Sequence, residues 1–573
     1  MRGREAILCT RRPRSAAERS PWMFHLMAAH GGEAGEISYE TDRARFIGRG
    51  GTLEAARALR EAGPLSGTQG SVLDPIVAIR RTIALEPGQS ATLDMVTGVG
   101  ETREACLALA GKYRDRHLAD RVFDLASTHS WVTLHQINAS ESDAQLYGRL
   151  ASSVLYANPG LRADAAELMK NRRGQSGLWG YAISGDLPIV LARIGEAASI
   201  GLVRQLAQAH AYWRLKGLAV DLVIWNEDHA GYRQLLHDQI MGLLAAGSEA
   251  HVIDRPGGIF VRRAEQISEE DRILFQSVAR VVISDKRGTL AEQVGRPSAT
   301  ERRLEGRGAP WSAPRLRVVR SETPASTVQP QNDLAFFNGT GGFSPGGREY
   351  VIATSPGKST PAPWANVLAN PGFGAVVSES GPGYTWSENA HEFRLTPWGN
   401  DAVSDSSGEA FYLRDEESGA FWSPTPAPCP GAGPYVTRHG FGSSVFEHDE
   451  AGIHSTLRVY VDLEAPVKYS VLRVANRSGR ARRLSATGYV EWVLGDLRPK
   501  TAMHVVTEID APSRALHARN PYNAEFAGRV AFFHVDDASR RVSGNRTEFL
   551  GRNGSLANPA AMRRAQLSNK VGA

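Results

Sequence analysis

The octapeptide FIGRGGTL at 46–53 returns as FLGRNGSL at 549–556, and Arg43 falls on Arg546 at the same offset of 503. After one small gap, LSGTQGS (65–71) falls on LSNKVGA (567–573). Further upstream, at an offset of 509, Ala6 meets Ala515, Ile7 meets Leu516, and Phe24-His25 meets Phe533-His534. Three collinear blocks indicate an internal repeat, and a period of this length is far beyond any solenoid unit. A whole module is therefore duplicated. The first copy runs on past its LSGTQGS block, and more than two hundred residues of strand-like sequence precede the second. The expectation is the tail of one module followed by the head of the next, within a fragment of a larger protein.

Between the copies the texture changes several times. Residues 1–100 read as short strands, among them AILCT, WMFHLMA, RARFIG and a long stretch from Pro75 to Val99 in which Ile76 and Ala78 alternate with polar neighbours. From 101 the period becomes helical: Cys106, Leu107, Leu109, Ala110, Tyr113 and Leu118 lie at helical spacing, and Ser140 reads as a helix cap. From about 176, short apolar runs (LPIVLARI, AVDLVIWN, GGIFVRRA, RVVISD) alternate with helical segments, which is the pattern of a parallel α/β unit. Residues 297–331 are rich in Pro, Arg and Ser without period, hence linker. From 332 the chain is all-β. The fold class expected is mixed and mainly β. Two β-sandwich portions, 1–100 and 332–573, flank a helical linker, 101–175, and a small parallel α/β unit, 176–296.

Composition excludes several classes of function. The net charge is only +5 over 573 residues, with no dense basic stripe, so no nucleic acid is expected as a partner. Three scattered cysteines, Cys9, Cys106 and Cys429, lack metal-ligand spacing and suit a reducing compartment. The 16 histidines form no ligand motif, and no metal or other cofactor is expected. No apolar run approaches bilayer length, so this chain is expected to contribute no membrane span.

The densest chemical signal lies in 361–426, where Trp364, Trp386, Trp398 and Trp422 are interleaved with Asn, Asp and Glu. Aromatic plates beside planar acceptors suit the apolar faces and hydroxyl edges of sugars. Sandwich core is the commoner place for such tryptophans. Read as one strand, TWSENAHEFR puts Trp386, Glu388, Glu392 and Arg394 on one face. Ser184 and Asp186, at the head of a buried strand, are either a functional polar pair or a capped turn. NGTGGFSPGG lacks the Lys-Ser/Thr of a phosphate loop and reads as a turn.

The segments NGTGGFSPGGREYVI, PAPWANVLANPGFG, SESGPGYTW, HEFRLTPWGND, GEAFYLRDEE and FWSPTP together resemble the N-terminal β-sandwich (supersandwich) of glycoside hydrolase family 94. That family was formerly glycosyltransferase family 36 and holds cellobiose- and chitobiose-type phosphorylases. YETDRARFIGRG, GQSGLWGYAISGDLPIVLARI and AHAYWRLKGLAVDLVIWNED resemble the cyclic β-1,2-glucan synthases of the same family, ahead of their phosphorylase-like module. The resemblance implies glucan metabolism, with a β-1,2-glucan or related β-glucoside and the remainder of a parent synthase as partners. It implies a cytoplasmic chain whose parent is anchored in the inner membrane.

Family phosphorylases protonate the leaving oxygen with one Asp on an (α/α)6 barrel, in a motif like GFRDQLQD. The nearest string here, GYRQLLHDQI (231–240), has Gln234 at the acid's position, so no catalytic residue is assigned and Asp238 receives no such role. The chain alone is expected to bind glucan without turnover. Trp386, Asn389, Glu392, Trp398, Asn400 and Asp401 correspond to the family segment near the substrate groove and are the substrate-binding candidates. Two other readings stand beside this one: a nucleotide-sugar glycosyltransferase using the 176–296 unit, and a non-binding scaffold.

Overall fold

The computed structural model describes residues 5–228, 235–247, 249–295 and 333–572. The 297–331 linker and the start of GYRQLLHDQI lie outside the described residues. The chain forms two compact units. One comprises 1–132 together with the short segments 360–362 and 400–405, and the other holds the rest.

In the first unit, strands Ala6–Thr10, Trp22–His30 and Thr92–Gly100 make an antiparallel sheet with the second in the centre. Glu33–Asp42 pairs with Pro75–Ala84 in a separate two-stranded sheet. The long stretch from Pro75 is thus two strands in different sheets, divided by the turn at Glu86–Gln89. Helix Arg103–Lys112 lays Cys106 and Ala110 on Phe24 and Leu26. Gly98 makes this fit possible, since a Cβ there would stand 2.4 Å from the Phe24 ring.

RARFIG corrects the strand expectation, because Arg43–Ile47 is a helix, N-capped by Asp42. Five residues are too few to carry a helical period, and the cap residue is the stronger signal. The second copy repeats the turn. Helix Arg546–Leu550 starts from Asn545 at φ −104°, the value at Asp42, and both helices end on a glycine near φ +90° with extended ψ, Gly48 and Gly551. That region of backbone space is essentially closed to other residues, so the glycines of the repeat are required by geometry.

Further on, the Gly67 N–H donates to Tyr39 O as Asn569 N–H does to Val542 O, each pair matched residue for residue. A carboxylate receives the loop serine in both copies, though from different places: Glu40 for Ser66, Glu548 for Ser568. The upstream block agrees less well. Ile7 pairs with His25, whereas Leu516 pairs with Phe533, one residue out of the register that the 509 offset requires.

The second unit contains the α/β part and the larger β region. Strands Ile259–Arg263, Asp221–Asn226, Ile189–Ile194 and Ala279–Ser284 lie parallel in that spatial order. Helices cover both faces, which is why these strands read as short, mainly apolar runs rather than as alternating ones. Helix Glu141–Leu155 opens with the expected Ser140, in a full capping box with Asp143. In the β region a six-stranded antiparallel sheet, from Gly341–Phe343 to Lys468–Asn476, faces the three strands Ala365–Asn370, Phe373–Ser378 and Gly381–Ser387. Leu368 and Val377 pack on Phe446, Leu457 and Val459 between them. Strand Ile453–Val461 alternates buried residues with half-buried or exposed ones from Ile453 to Tyr460, as a sandwich strand should. Among the described residues no helix is long and apolar enough to cross a membrane.

Candidate functional site: an aromatic ladder beside a polar cavity

TWSENAHEFR is not one strand. The strand ends at Ser387, Glu388 turns at φ +60°, and the chain doubles back so that Trp386 bridges Arg394. The cause is local: Asn389 Oδ1 accepts the N–H groups of His391 and Glu392, both at 2.9 Å, closing an Asx turn. Trp386 and Arg394 therefore meet across a turn rather than along one face.

The doubling brings Trp398 onto the sheet. Its ring stacks on Tyr384 at 4.7 Å between centroids, and Tyr384 in turn lies 5.3 Å from Trp386. The result is a three-ring ladder in which both tryptophans are half-buried and Tyr384 is buried. Gly374 lets Trp386 lie flat, because a Cβ there would come within 2.3 Å of the indole. Beneath the ladder, Thr385 and Thr396 donate to Glu409 Oε1 at 2.6 and 2.8 Å, and Lys468 pairs with the same carboxylate. Burial opposes ionisation of Glu409. Lys468 and the two hydroxyls overcome it and hold the carboxyl below its ordinary range.

The same turn forms one wall of a cavity of about 560 Å³. Phe393 stacks on Phe526 at 4.5 Å, and Arg394 exchanges two backbone hydrogen bonds with Gly495. Glu392, Asp496, Lys500, Asn523 and Phe526 line the cavity from the β region, Asp186 and Arg280 from the α/β part. Lys500 Nζ meets Asp496 Oδ2 at 2.6 Å. The His504 ring stacks on Tyr522 at 4.1 Å; burial, reinforced by Arg162 and Arg280, pushes its pKa down to about 3. Around neutral pH that imidazole is uncharged and presents an aromatic face with polar nitrogens.

Of the six candidates, Trp386 and Trp398 are brought together through Tyr384, and Glu392 joins the cavity. Asn389 is exposed, with its carbonyl oxygen engaged in the turn. Asn400 and Asp401 belong to the first unit, where the Asp401 carboxylate is held by Arg43 and by the N–H groups of Val403 and Ser404. Ser184 and Asp186 form a turn, with the Asp186 N–H on Ser184 Oγ, and Asp186 also lines the cavity. His504, Tyr522, Lys500 and Arg280 give no signal in the sequence. They lie on separate elements that only the fold gathers. Among the described residues no cluster of His, Cys, Asp or Glu is arranged to hold a metal.

The supersandwich domain of glycosyl hydrolase family 94 matches residues 1–116 and 348–573. The chain belongs to this family. The two matched stretches each contain one copy of the repeat. The chain is 34% identical, over 97% of its length, to the cyclic β-(1,2)-glucan synthase NdvB of Rhizobium meliloti strain 1021, and spans 20% of that protein. It is 31% identical over 239 residues to the N,N'-diacetylchitobiose phosphorylase of Vibrio furnissii, covering 40% of this chain and 29% of the phosphorylase. Against the solabiose phosphorylase of Paenibacillus borealis, 28% identity extends over 251 residues, 41% of this chain and 31% of the relative.

Proposed function

We propose that this chain supplies β-glucan-binding modules to a glucan-synthesising or phosphorolytic enzyme of the cyclic β-1,2-glucan synthase kind. The observation carrying this reading is the Tyr384–Trp386–Trp398 ladder beside a cavity lined by carboxylates, an amide and aromatic rings. A glucose unit would stack on the half-buried indoles while its hydroxyls donate to the Glu392 and Asp186 carboxylates and exchange hydrogen bonds with the Asn523 amide. Asn389 acts through the turn it closes. Asn400 and Asp401 enter this proposal through the family resemblance. The substrate proposed is a β-1,2-glucan or a related β-glucoside, the partner is the remainder of the parent synthase, and the compartment is the cytoplasm.

The nucleotide-sugar reading is the less favoured. In a parallel sheet of this order, ligands bind at the carboxyl ends of the strands where the order reverses, here between Ile189–Ile194 and Ala279–Ser284. At that point Asp285 Oδ2 accepts the N–H groups of Gly195 at 2.7 Å and Glu196 at 3.1 Å. A carboxylate already sits where a diphosphate would seek amides.

The test is calorimetric titration of the folded chain with β-1,2-gluco-oligosaccharides. Binding of about millimolar strength, near −4 kcal/mol, is expected. It should weaken at least fivefold in Trp398→Ala, since one stacking contact is worth about 1 kcal/mol beyond area burial. Incubation with phosphate should release no glucose 1-phosphate. Absence of binding at ten times that concentration would favour the scaffold reading.

A further inference from the structure

The two copies of the repeated turn share a backbone but differ in what covers them. In the first, the segment Asn400–Asp405 is seated on the turn. Arg43 binds Asp401, Arg49 Nη2 meets Asp405 Oδ2 at 2.9 Å, and the Gly50 N–H donates to Val403 O at 2.7 Å. The occupant thus presents two aspartates four residues apart with a backbone carbonyl between them, and Gly48 beneath it is buried.

Every element of that seat recurs at an offset of 503. Arg546 stands for Arg43, Arg552 for Arg49, and Asn553 for Gly50 with φ +60° against +68°. Among the described residues nothing is seated on the second copy. Arg552 and Asn553 are exposed, Gly551 is no longer buried, and the Arg546 side chain is 52% exposed against 25% at Arg43. No acceptor is bonded to the Arg552 guanidinium or the Asn553 N–H among the described residues. Two carboxylates lie near. Glu491 takes Arg546 Nε at 3.0 Å and is shared with Arg498, while Glu548 is paired with Arg564 at 3.5 Å. Neither reaches Arg552.

We propose that the turn Arg546–Gly554 is a second docking seat, and that its occupant is an acidic Asp-x-x-x-Asp segment on a further supersandwich module. The seat would bind this segment as the first seat binds Asn400–Asp405. The complementarity is specific: a guanidinium for each carboxylate and a turn N–H for the carbonyl between them. Successive modules of the duplicated kind would then be joined by the same clamp.

The test uses the intact chain and a capped, fluorescein-labelled peptide of sequence 399–406, GNDAVSDS, followed by fluorescence anisotropy. Saturable binding is expected, weakening as salt rises. It should fall at least tenfold with Arg552→Ala and with a peptide carrying Asn in place of both aspartates, and recover in part with Arg552→Lys. Arg552 is exposed, so the variant's circular dichroism should match the parent's. Absence of saturable binding would overturn the proposal, as would binding indifferent to Arg552→Ala but lost in Arg49→Ala, which marks exchange at the first seat. Self-association of the chain abolished by Arg552→Ala would assign the seat to a second copy and overturn the module reading.

Discussion

Arg43 grips Asp401 with both ends of its guanidinium, Nη1 to Oδ1 at 2.7 Å and Nη2 to Oδ2 at 2.8 Å, while Nη1 also meets Asp74. The pair ties a segment 358 residues away in sequence to the first copy of the repeated turn. Arg43, helped by Ser404 and two backbone N–H groups, holds the Asp401 carboxyl well below the ordinary carboxylate range. A depressed folded pKa stabilises fully above the unfolded value of about 3.9, and that contribution is lost as pH falls through the folded one. Asp401→Asn should cost about 1–2 kcal/mol, with the partial exposure of the pair keeping the loss at this level. It should also flatten the acid limb below about pH 4. Hydrogen exchange at Arg43–Gly50 as a function of pH reads both effects. An unchanged acid limb would show that other carboxylates set it.

His504 makes the opposite kind of demand. With its folded pKa down at about 3, the unfolded chain binds the extra proton first, so stability falls as pH drops below about 6.5 and levels off near the folded value. The loss by pH 5 should be about 1–2 kcal/mol. Urea unfolding at pH 7 and pH 5 checks it. His504→Phe keeps the stack on Tyr522 and should narrow the difference between the two midpoints, whereas an unaltered difference would assign the titration to another group.

The parallel strands are the most legible part of the chain, because burial on both faces writes them as short apolar runs such as LPIVLARI and AVDLVIWN. The repeat is legible for a related reason: a glycine forced to positive φ, as at Gly48 and Gly551, admits no other residue and marks the turn in both copies. Arg43–Ile47 reads as a strand in the sequence because five residues do not show a period. The ladder is half legible. Trp386 and Trp398 stand out, but the Asn389 turn that folds one over the other breaks an alternation that looks continuous. The cavity is hardly legible at all, since Asp186, Glu392, Lys500 and Tyr522 converge through packing across the unit.

Gly374 gives a way to disturb the ladder without removing a ring. A methyl group there would meet the Trp386 indole at 2.3 Å, so the indole or the strand must move. Gly374→Ala should cost about 1–3 kcal/mol from overpacking. It should also weaken β-1,2-glucan binding, because the Trp386 plate tilts away from Tyr384. Gly372→Ala, two residues earlier and open to space, is the matched control. Equal binding by both variants would remove Trp386 from the proposed sugar platform.

The Glu409–Lys468 pair beneath the ladder separates positioning from contact. Glu409 is buried and receives Thr385, Thr396 and Lys468. Removing one partner of such a pair strands a charge in low dielectric and typically costs about 3–5 kcal/mol, whereas replacing both by apolar groups is often close to neutral. Glu409→Gln alone should therefore destabilise the second unit strongly, and Glu409→Gln with Lys468→Met should recover most of the loss. Thr385 and Thr396 still need an acceptor to hold the strand against the Trp398 segment, and the side-chain amide carbonyl introduced by Glu409→Gln supplies one in the double variant. Glucan affinity should therefore follow stability: reduced in the single variant, largely restored in the double. Restored stability with affinity still lost would mean that the carboxylate charge itself, rather than the alignment of the rings, is what the sugar reads.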